Sequence, residues 1–217
     1  MKPVSAAAIL AGGDGRRLGS TQKALVSVNG RRLFDHVYAS LKDHVTPIAL
    51  CVRSSATWVD SLGAENLGLA VLEDRPAPDR GPLGGIAAAL IWASSLTPKI
   101  DWVLTVPVDV PFLPCDLVDR LTAVDADAAV AKSGDHVHHT IAAWRPALAE
   151  GLISEISEHA VPIRRFQSMV HTIEVEWEVA GVDPFLNINT PEDLELAERL
   201  YSRWSNAHRD ALGVETE

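Results

Sequence analysis

Residues 10–25 read "LAGGDGRRLGSTQKAL", directly after an apolar run that begins at Val4. Val4–Leu10 has the composition of a buried strand. The loop after it carries four glycines, Arg16, Arg17 and Lys23. Glycine lets the backbone approach a ligand closely, and successive N–H groups can converge on an anion. A glycine-rich turn after the first strand of an α/β sheet is therefore a place where phosphates bind. Two better-known loops do not fit. The dinucleotide fingerprint needs GxGxxG, but from Gly13 the chain gives G-D-G-R-R-L, with Gly19 one place late. The P-loop needs GxxxxGK[ST], and here Gly19 is followed by Ser20. What remains is a glycine pair, two arginines and a more distant lysine. That set suits a ligand with several negative charges, such as a nucleoside triphosphate; the alternative is a surface loop of solvated charges.

Outward from this loop, strand and helix patterns alternate. "TPIALCV" (Thr46–Val52) and "LGLAVLED" (ending at Asp74) read as strands, and "DWVLTVPVD" runs as a third into Asp109. Arg31–His44 and Leu83–Leu96 have helical spacing, and Pro114–Leu121 opens a helix with proline and acids in its first turns. Ala24–Val28 reads as a short extended piece closed by the turn "NG". This alternation to about residue 122 implies a Rossmann-like three-layer αβα sandwich around a mostly parallel sheet. Beyond it, "DAAVAKSGDHVHHTIAAW" reads as two strands and a turn. Arg145–Glu158 and Val161–Gln167 read as helices, and "VHTIEVEW" as an edge strand. "NTPEDLELAERLYSRW" reads as a final helix capped by Thr190, with Pro191 at its first position. One domain is expected over residues 1–204, with a polar, flexible tail over 205–217.

Composition narrows the function. A net charge of −10 argues against nucleic acid as a partner, which needs an excess of cations. No stretch approaches the ~18 apolar residues of a membrane span. Cys51 and Cys115 stand far apart in no CxxC pattern, which fits reduced thiols and a cytoplasmic location.

Several residues are candidates for chemistry. Asp109 stands where a parallel strand ends, the edge at which open sheets bind ligands. It suits Mg²⁺, which takes one or two carboxylates plus phosphate and water; it also suits the cap of a turn. Asp74 could accept hydrogen bonds from a base or ribose, or pair with Arg75. "GPLGGI", from Gly81, lets a nucleoside lie against the backbone, or a helix pack closely. Asn189 could reach a metal or phosphate, or serve the helix cap. His136 and His138 share one strand face and His139 the other, a poor metal site but a possible anion contact. Arg164 and Arg165 could meet an anionic substrate or lie in solvent.

The ordered set "LAGGDGRRLGSTQK", "EDRPAPDRGPLGG", "VPVDVPFLP" and "NINTPEDL" resembles the molybdenum cofactor guanylyltransferases over nearly the whole chain, from Val4 to about Arg203. The resemblance implies a fold of the nucleotide-diphospho-sugar transferase type, with a nucleotide-binding N-terminal half and an acceptor-binding C-terminal half. It implies transfer of GMP from GTP to molybdopterin, or its molybdenum form, with release of pyrophosphate and Mg²⁺ as cofactor. Leu10, Ala11, Gly12, Gly13 and Gly81 would contact the nucleotide, Asp74 the nucleoside, and Asp109 the Mg²⁺ and nucleotide. Lys23 and Arg17 would hold the phosphates and the departing pyrophosphate. The pterin would lie over the second half, near Lys132, His138 and Arg164. A monomer with transient contacts to cofactor-handling proteins is expected. Three positions depart from the family's pattern: Cys51 stands in place of asparagine, Val108 of cysteine and Gln22 of aspartate. The rival activities are transfer of another base, as from CTP, transfer to another acceptor such as a sugar phosphate, and nucleotide binding without turnover.

Overall fold

A computed structural model of the chain describes residues 3–13, 18, 22–53, 57–76, 81–158, 162–179 and 181–211. Its centre is a seven-stranded sheet. In chain order the strands of the molecule are β1 (Ser5–Leu10), β2 (Ser27–Val28), β3 (Arg31–Arg32), β4 (Ile48–Val52), β5 (Ala70–Glu73), β6 (Trp102–Pro107), β7 (Ala128–Ser133), β8 (His136–Trp144) and β9 (Thr172–Trp177). The helices are α1 (Leu33–Lys42), α2 (Pro82–Ser95), α3 (Leu117–Thr122), α4 (Ala149–Glu158), α5 (Ile163–Met169) and α6 (Pro191–Ala211). The sheet runs β5-β4-β1-β6-β8-β7-β9, and β2 and β3 form a separate hairpin. Within the described sheet only β8 runs against its neighbours; the other pairings are parallel.

The layers arise from the side-chain alternation of extended chain. On β1, Ala7 and Ile9 join a cluster with Phe34, Val37 and Leu41 of α1 and Leu117 and Leu121 of α3. Ala6 and Ala8 point the other way, into a cluster with α2, Leu152 and Ile156 of α4 and Phe166 of α5. Both faces of the sheet are thus covered, which is why its parallel strands read as continuous apolar runs. Ala6 and Ala8 of β1 let α2 lie close, and α2 answers with Gly84, Gly85, Ala87 and Ala89, all buried.

The order of the strands places the site. From β1 the chain moves outward through β4 and β5, then returns to the other side of β1 as β6. The sheet therefore switches direction between β1 and β6, where Leu10 pairs with Pro107. Ligands bind in the crevice that opens beyond such a switch.

Some local expectations are corrected. Ala24–Val28 is not simply extended: Lys23–Leu25 forms a 3₁₀ turn, closed by Leu25 N–H to Gln22 O and Val26 N–H to Lys23 O. The "NG" turn does close the hairpin, with Asn29 and Gly30 both at positive φ, as a tight hairpin of this kind requires. The helix expected from Pro114 starts at Leu117, because Pro114–Leu117 is spent on a turn in which Leu117 N–H meets Pro114 O. The helix expected from Arg145 begins as a 3₁₀ turn over Pro146–Leu148. Helix α6 runs to Ala211, past the boundary drawn at residue 204; polarity alone does not separate a solvated helix end from coil.

Candidate active site

Three parallel strands deliver polar residues to one edge of the sheet. Arg53 follows β4, Asp74 follows β5 and Asp109 lies two residues beyond β6. Register makes them neighbours, since Leu10 is level with Cys51 on one side and Pro107 on the other, and Cys51 with Leu72. The glycine loop is tied to this edge by its backbone. Ala11 N–H donates to Cys51 O at 2.8 Å, and Val108 N–H donates to Leu10 O at 3.0 Å.

Between these parts lies a cavity of about 230 Å³, lined by Leu10, Gly12 and Gly13, by Arg53, Asp74 and Asp109, and by Thr140 and the first turn of α2. Ala11, beside these lining residues in sequence, is buried in the core cluster of α1 and α3. Gly81, at φ 60°, caps α2 just before Pro82 in a conformation that side-chain-bearing residues rarely adopt. Gly84 and Gly85 are where closeness is required. A Cβ at Gly84 would lie 3.1 Å from Asp74 Cβ, and one at Gly85 would lie 3.1 Å from Leu10 Cδ2. The Cys51 thiol donates to Gly85 O at 3.4 Å. Burial, and secondarily the Asp74 carboxylate, push its pKa up, so it stays neutral.

The ionic centre forms from three distant parts of the chain. The 3₁₀ turn places Lys23 so that its Nζ lies 2.5 Å from Asp109 Oδ2 and also donates to Asn189 Oδ1. The segment bearing Asn189 is held against Asp109 by its own backbone, Ile188 N–H donating to Asp109 O at 2.9 Å. Phe112, just after Asp109, packs against Trp204 of α6, whose indole N–H donates to Phe112 O at 3.2 Å. Asp109 is 8% exposed, and its Oδ1 is buried with no hydrogen-bond partner among the described residues. A buried carboxylate oxygen without a partner is costly unless something else occupies it. No group of three or more His, Cys, Asp or Glu residues among those described could hold a metal ion.

This geometry sorts the candidates read from sequence. Leu10, Gly12, Gly13, Asp74, Gly81 and Asp109 meet at the cavity, and Lys23 bridges Asp109 and Asn189. Arg17 lies outside the described residues. The histidines lie on β8, outside the lining of this cavity. His138 packs on Phe185, and its Nε2 meets Ser133 Oγ at 2.7 Å. Because the Ser133 hydroxyl donates to Asp183, His138 is the donor in that pair. His139 Nδ1 meets the buried Gln167 Oε1 at 2.6 Å, so Nδ1 carries the proton there. Arg164 is exposed on α5, and Lys132 pairs with Glu174 at 3.4 Å. Two residues at the cavity went unnoticed in the sequence. Arg53 had a signal, its place after a strand. Thr140 had none: it lies where the β7–β8 register shifts, and its carbonyl is fixed by the buried Thr105 hydroxyl.

The match to known proteins agrees with this arrangement. The model of the MobA-like NTP transferase domain matches residues 7–170. The chain belongs to that family. A protein of Bradyrhizobium sp. (strain ORS 278) named molybdenum cofactor guanylyltransferase is 39% identical over 197 residues, covering 88% of this chain and 91% of that one. Among solved structures, molybdopterin-guanine dinucleotide biosynthesis protein A from Archaeoglobus fulgidus superposes with a TM-score of 0.72 at 22% identity, covering 91% of this chain and 99% of that chain. The 4-diphosphocytidyl-2C-methyl-D-erythritol synthase of Anaerococcus prevotii superposes with a TM-score of 0.66 at 16% identity, over 94% and 100% of the two chains. At such identities the two structures share a fold with this chain, the αβα architecture of nucleotidyltransferases.

Proposed function

We infer that this protein transfers GMP from GTP to the phosphate of molybdopterin, or of its molybdenum form, giving the guanine dinucleotide and pyrophosphate. The observation that carries the reading is the convergence of Asp109 and Asn189 on Lys23, at the wall of a cavity bounded by the Leu10–Gly13 backbone. A binding module that never turned over would have little use for such a centre at the phosphate end of its pocket. The relatives' name supplies the acceptor and the base.

Asp74 is an acceptor-only group at the far wall, beside Gly12 and Gly84. Guanine presents adjacent N–H donors on one edge, which one carboxylate can take together. Lys23 would exchange its carboxylate partner for phosphate oxygens, holding the triphosphate and then the charge on departing pyrophosphate. The attacking oxygen belongs to a phosphate already ionised at neutral pH, so no general base is required. Positioning two anions in line is the main task, and the strand ends and the contacts of Lys23 with Asp109 and Asn189 supply it.

We assign Mg²⁺ to Asp109, with Asn189 Oδ1 as a second oxygen donor. The unpartnered buried Oδ1 of Asp109 and the all-oxygen donor set fit that ion, which takes few protein ligands and completes its shell with phosphate and water. When bound, it polarises the α-phosphate as a Lewis acid. We also propose that the protein acts as a monomer in the cytoplasm, in keeping with two free cysteines. No described helix is long and apolar enough to cross a membrane.

The reading is tested with GTP labelled at the α- or the γ-phosphorus. It predicts that α-label appears in the pterin product and γ-label in pyrophosphate. γ-Label in the pterin product would contradict it.

A further inference from the structure

Asn189 does not hold its own position. It lies one residue before Thr190, in the segment that enters α6, where backbone N–H groups have no partner within the helix. One carboxylate takes two of them. Asp193 Oδ2 accepts from Asn189 N–H at 2.9 Å and from Thr190 N–H at 2.9 Å. Thr190 Oγ1 answers by accepting from Asp193 N–H at 3.2 Å, which closes a reciprocal box. Of these bonds, only that to Asn189 N–H reaches outside the helix cap, to the residue whose side chain meets Lys23. The preceding residue, Ile188, is fixed on the other side by its N–H to Asp109 O. The Asn189 backbone is therefore held between Asp109 and Asp193, and its amide oxygen is directed at Lys23. An ordinary N-cap needs Thr190 alone.

We propose that Asp193 is a positioning residue of the active site, which fixes the Asn189 backbone so that its side-chain oxygen meets the ionic centre at Lys23 and Asp109. Asp193 contacts neither Lys23 nor Asp109 by hydrogen bond; it acts through Asn189. The inference rests on the proposed GMP transfer, and its test keeps the two apart.

The test compares Asp193→Ala, Asp193→Asn, Thr190→Ala and Asn189→Ala with the double variant Asn189→Ala/Asp193→Ala. For each, kcat and KM for GTP, the affinity for GTP with and without Mg²⁺, and Tm are measured. Asp193→Ala is expected to lose about 10- to 100-fold in kcat/KM, as removal of a residue that orients a ligand-binding group does. Asp193→Asn keeps an oxygen acceptor and is expected to recover most of that loss. Thr190→Ala removes one cap bond but leaves the bond to Asn189 N–H. It is expected to lower Tm, by less than Asp193→Ala does, while keeping kcat/KM. The double variant is expected to be no worse than Asn189→Ala alone. Activity losses in Thr190→Ala and Asp193→Ala that follow their Tm losses in proportion would reduce Asp193 to a helix cap and overturn the proposal. So would multiplicative losses in the double variant. If the wild-type protein transfers no nucleotide, the functional reading fails, and the GTP affinities decide on Asp193 by the same pattern.

Discussion

Lys23 and Asp109 form a 2.5 Å ion pair across 86 residues of sequence, with side chains only 14% and 11% exposed. The pair joins the glycine loop to the end of β6, and Asn189 closes it from the third side. In the proposed function each partner serves a different charge: the lysine phosphates, the carboxylate a cation.

Lys23→Ala separates those roles. It removes a charged hydrogen-bond donor to phosphate, so GTP affinity is expected to fall about 10- to 100-fold. It also orphans a buried carboxylate, at a cost of about 3 kcal/mol. Titration calorimetry and denaturant unfolding read the two effects. Unchanged GTP affinity would refute the phosphate role.

Asp109→Ala is expected to lower turnover by about 1,000-fold, the several kcal/mol of charge stabilisation lost with the metal site. The fold is expected to survive, because Asp109 holds Ile188 through its backbone oxygen, which the substitution keeps. Pyrophosphate release and circular dichroism check both halves. Near-normal release would refute the metal assignment.

Gly84→Ala tests the wall of the cavity. Its Cβ would sit 3.1 Å from Asp74 Cβ and 3.3 Å from Asp74 Cγ, so the carboxylate must shift. Overpacking of this kind costs about 1–3 kcal/mol, and weaker GTP binding is expected with it. Gly151→Ala on α4 meets nothing within 4 Å and is expected to be neutral or stabilising by up to about 1 kcal/mol, with GTP binding unchanged. Thermal melts and GTP titrations of the two variants make the comparison.

His138 predicts an acid-side loss of stability. Burial holds its pKa down to about 4, against 6.5 when unperturbed, with Asp183 opposing and the neighbouring His136 and His139 adding to the shift. Between pH 6.5 and 4 the unfolded chain therefore takes up a proton that the folded protein refuses, and stability falls as pH falls. His138→Gln is expected to flatten this slope, leaving the part due to His36, whose pKa burial also lowers. Unfolding free energies measured across that window test it. An unchanged slope would refute the assignment.

The centre of the sheet was legible because β1, β4 and β6 are buried on both faces and carry almost no polar residues, while glycine or aspartate follows the ends of β1, β5 and β6. Asp74 and Asp109 were legible for the same reason. The segments that failed were short. Lys23–Leu25 reads as extended because three residues carry no period, and only tertiary packing turns them into the 3₁₀ turn that aims Lys23. Asn189 reads from sequence as a metal or phosphate contact or as part of a helix cap, since sequence does not reveal that the capped segment passes beside Asp109. In "HVHH", read as a poor metal site from its alternation, His138 is tied to Ser133 and Phe185 and His139 to Gln167.

The central claim is best tested by supplying the purified protein with molybdopterin, Mg²⁺ and each of GTP, CTP, ATP and UTP in turn, reading the dinucleotide product and pyrophosphate together. The account predicts a guanine dinucleotide and equimolar pyrophosphate from GTP, and little of either from the other three. A product from CTP in preference would keep the mechanism and overturn the base assignment. Tight GTP binding without any product would contradict the account itself.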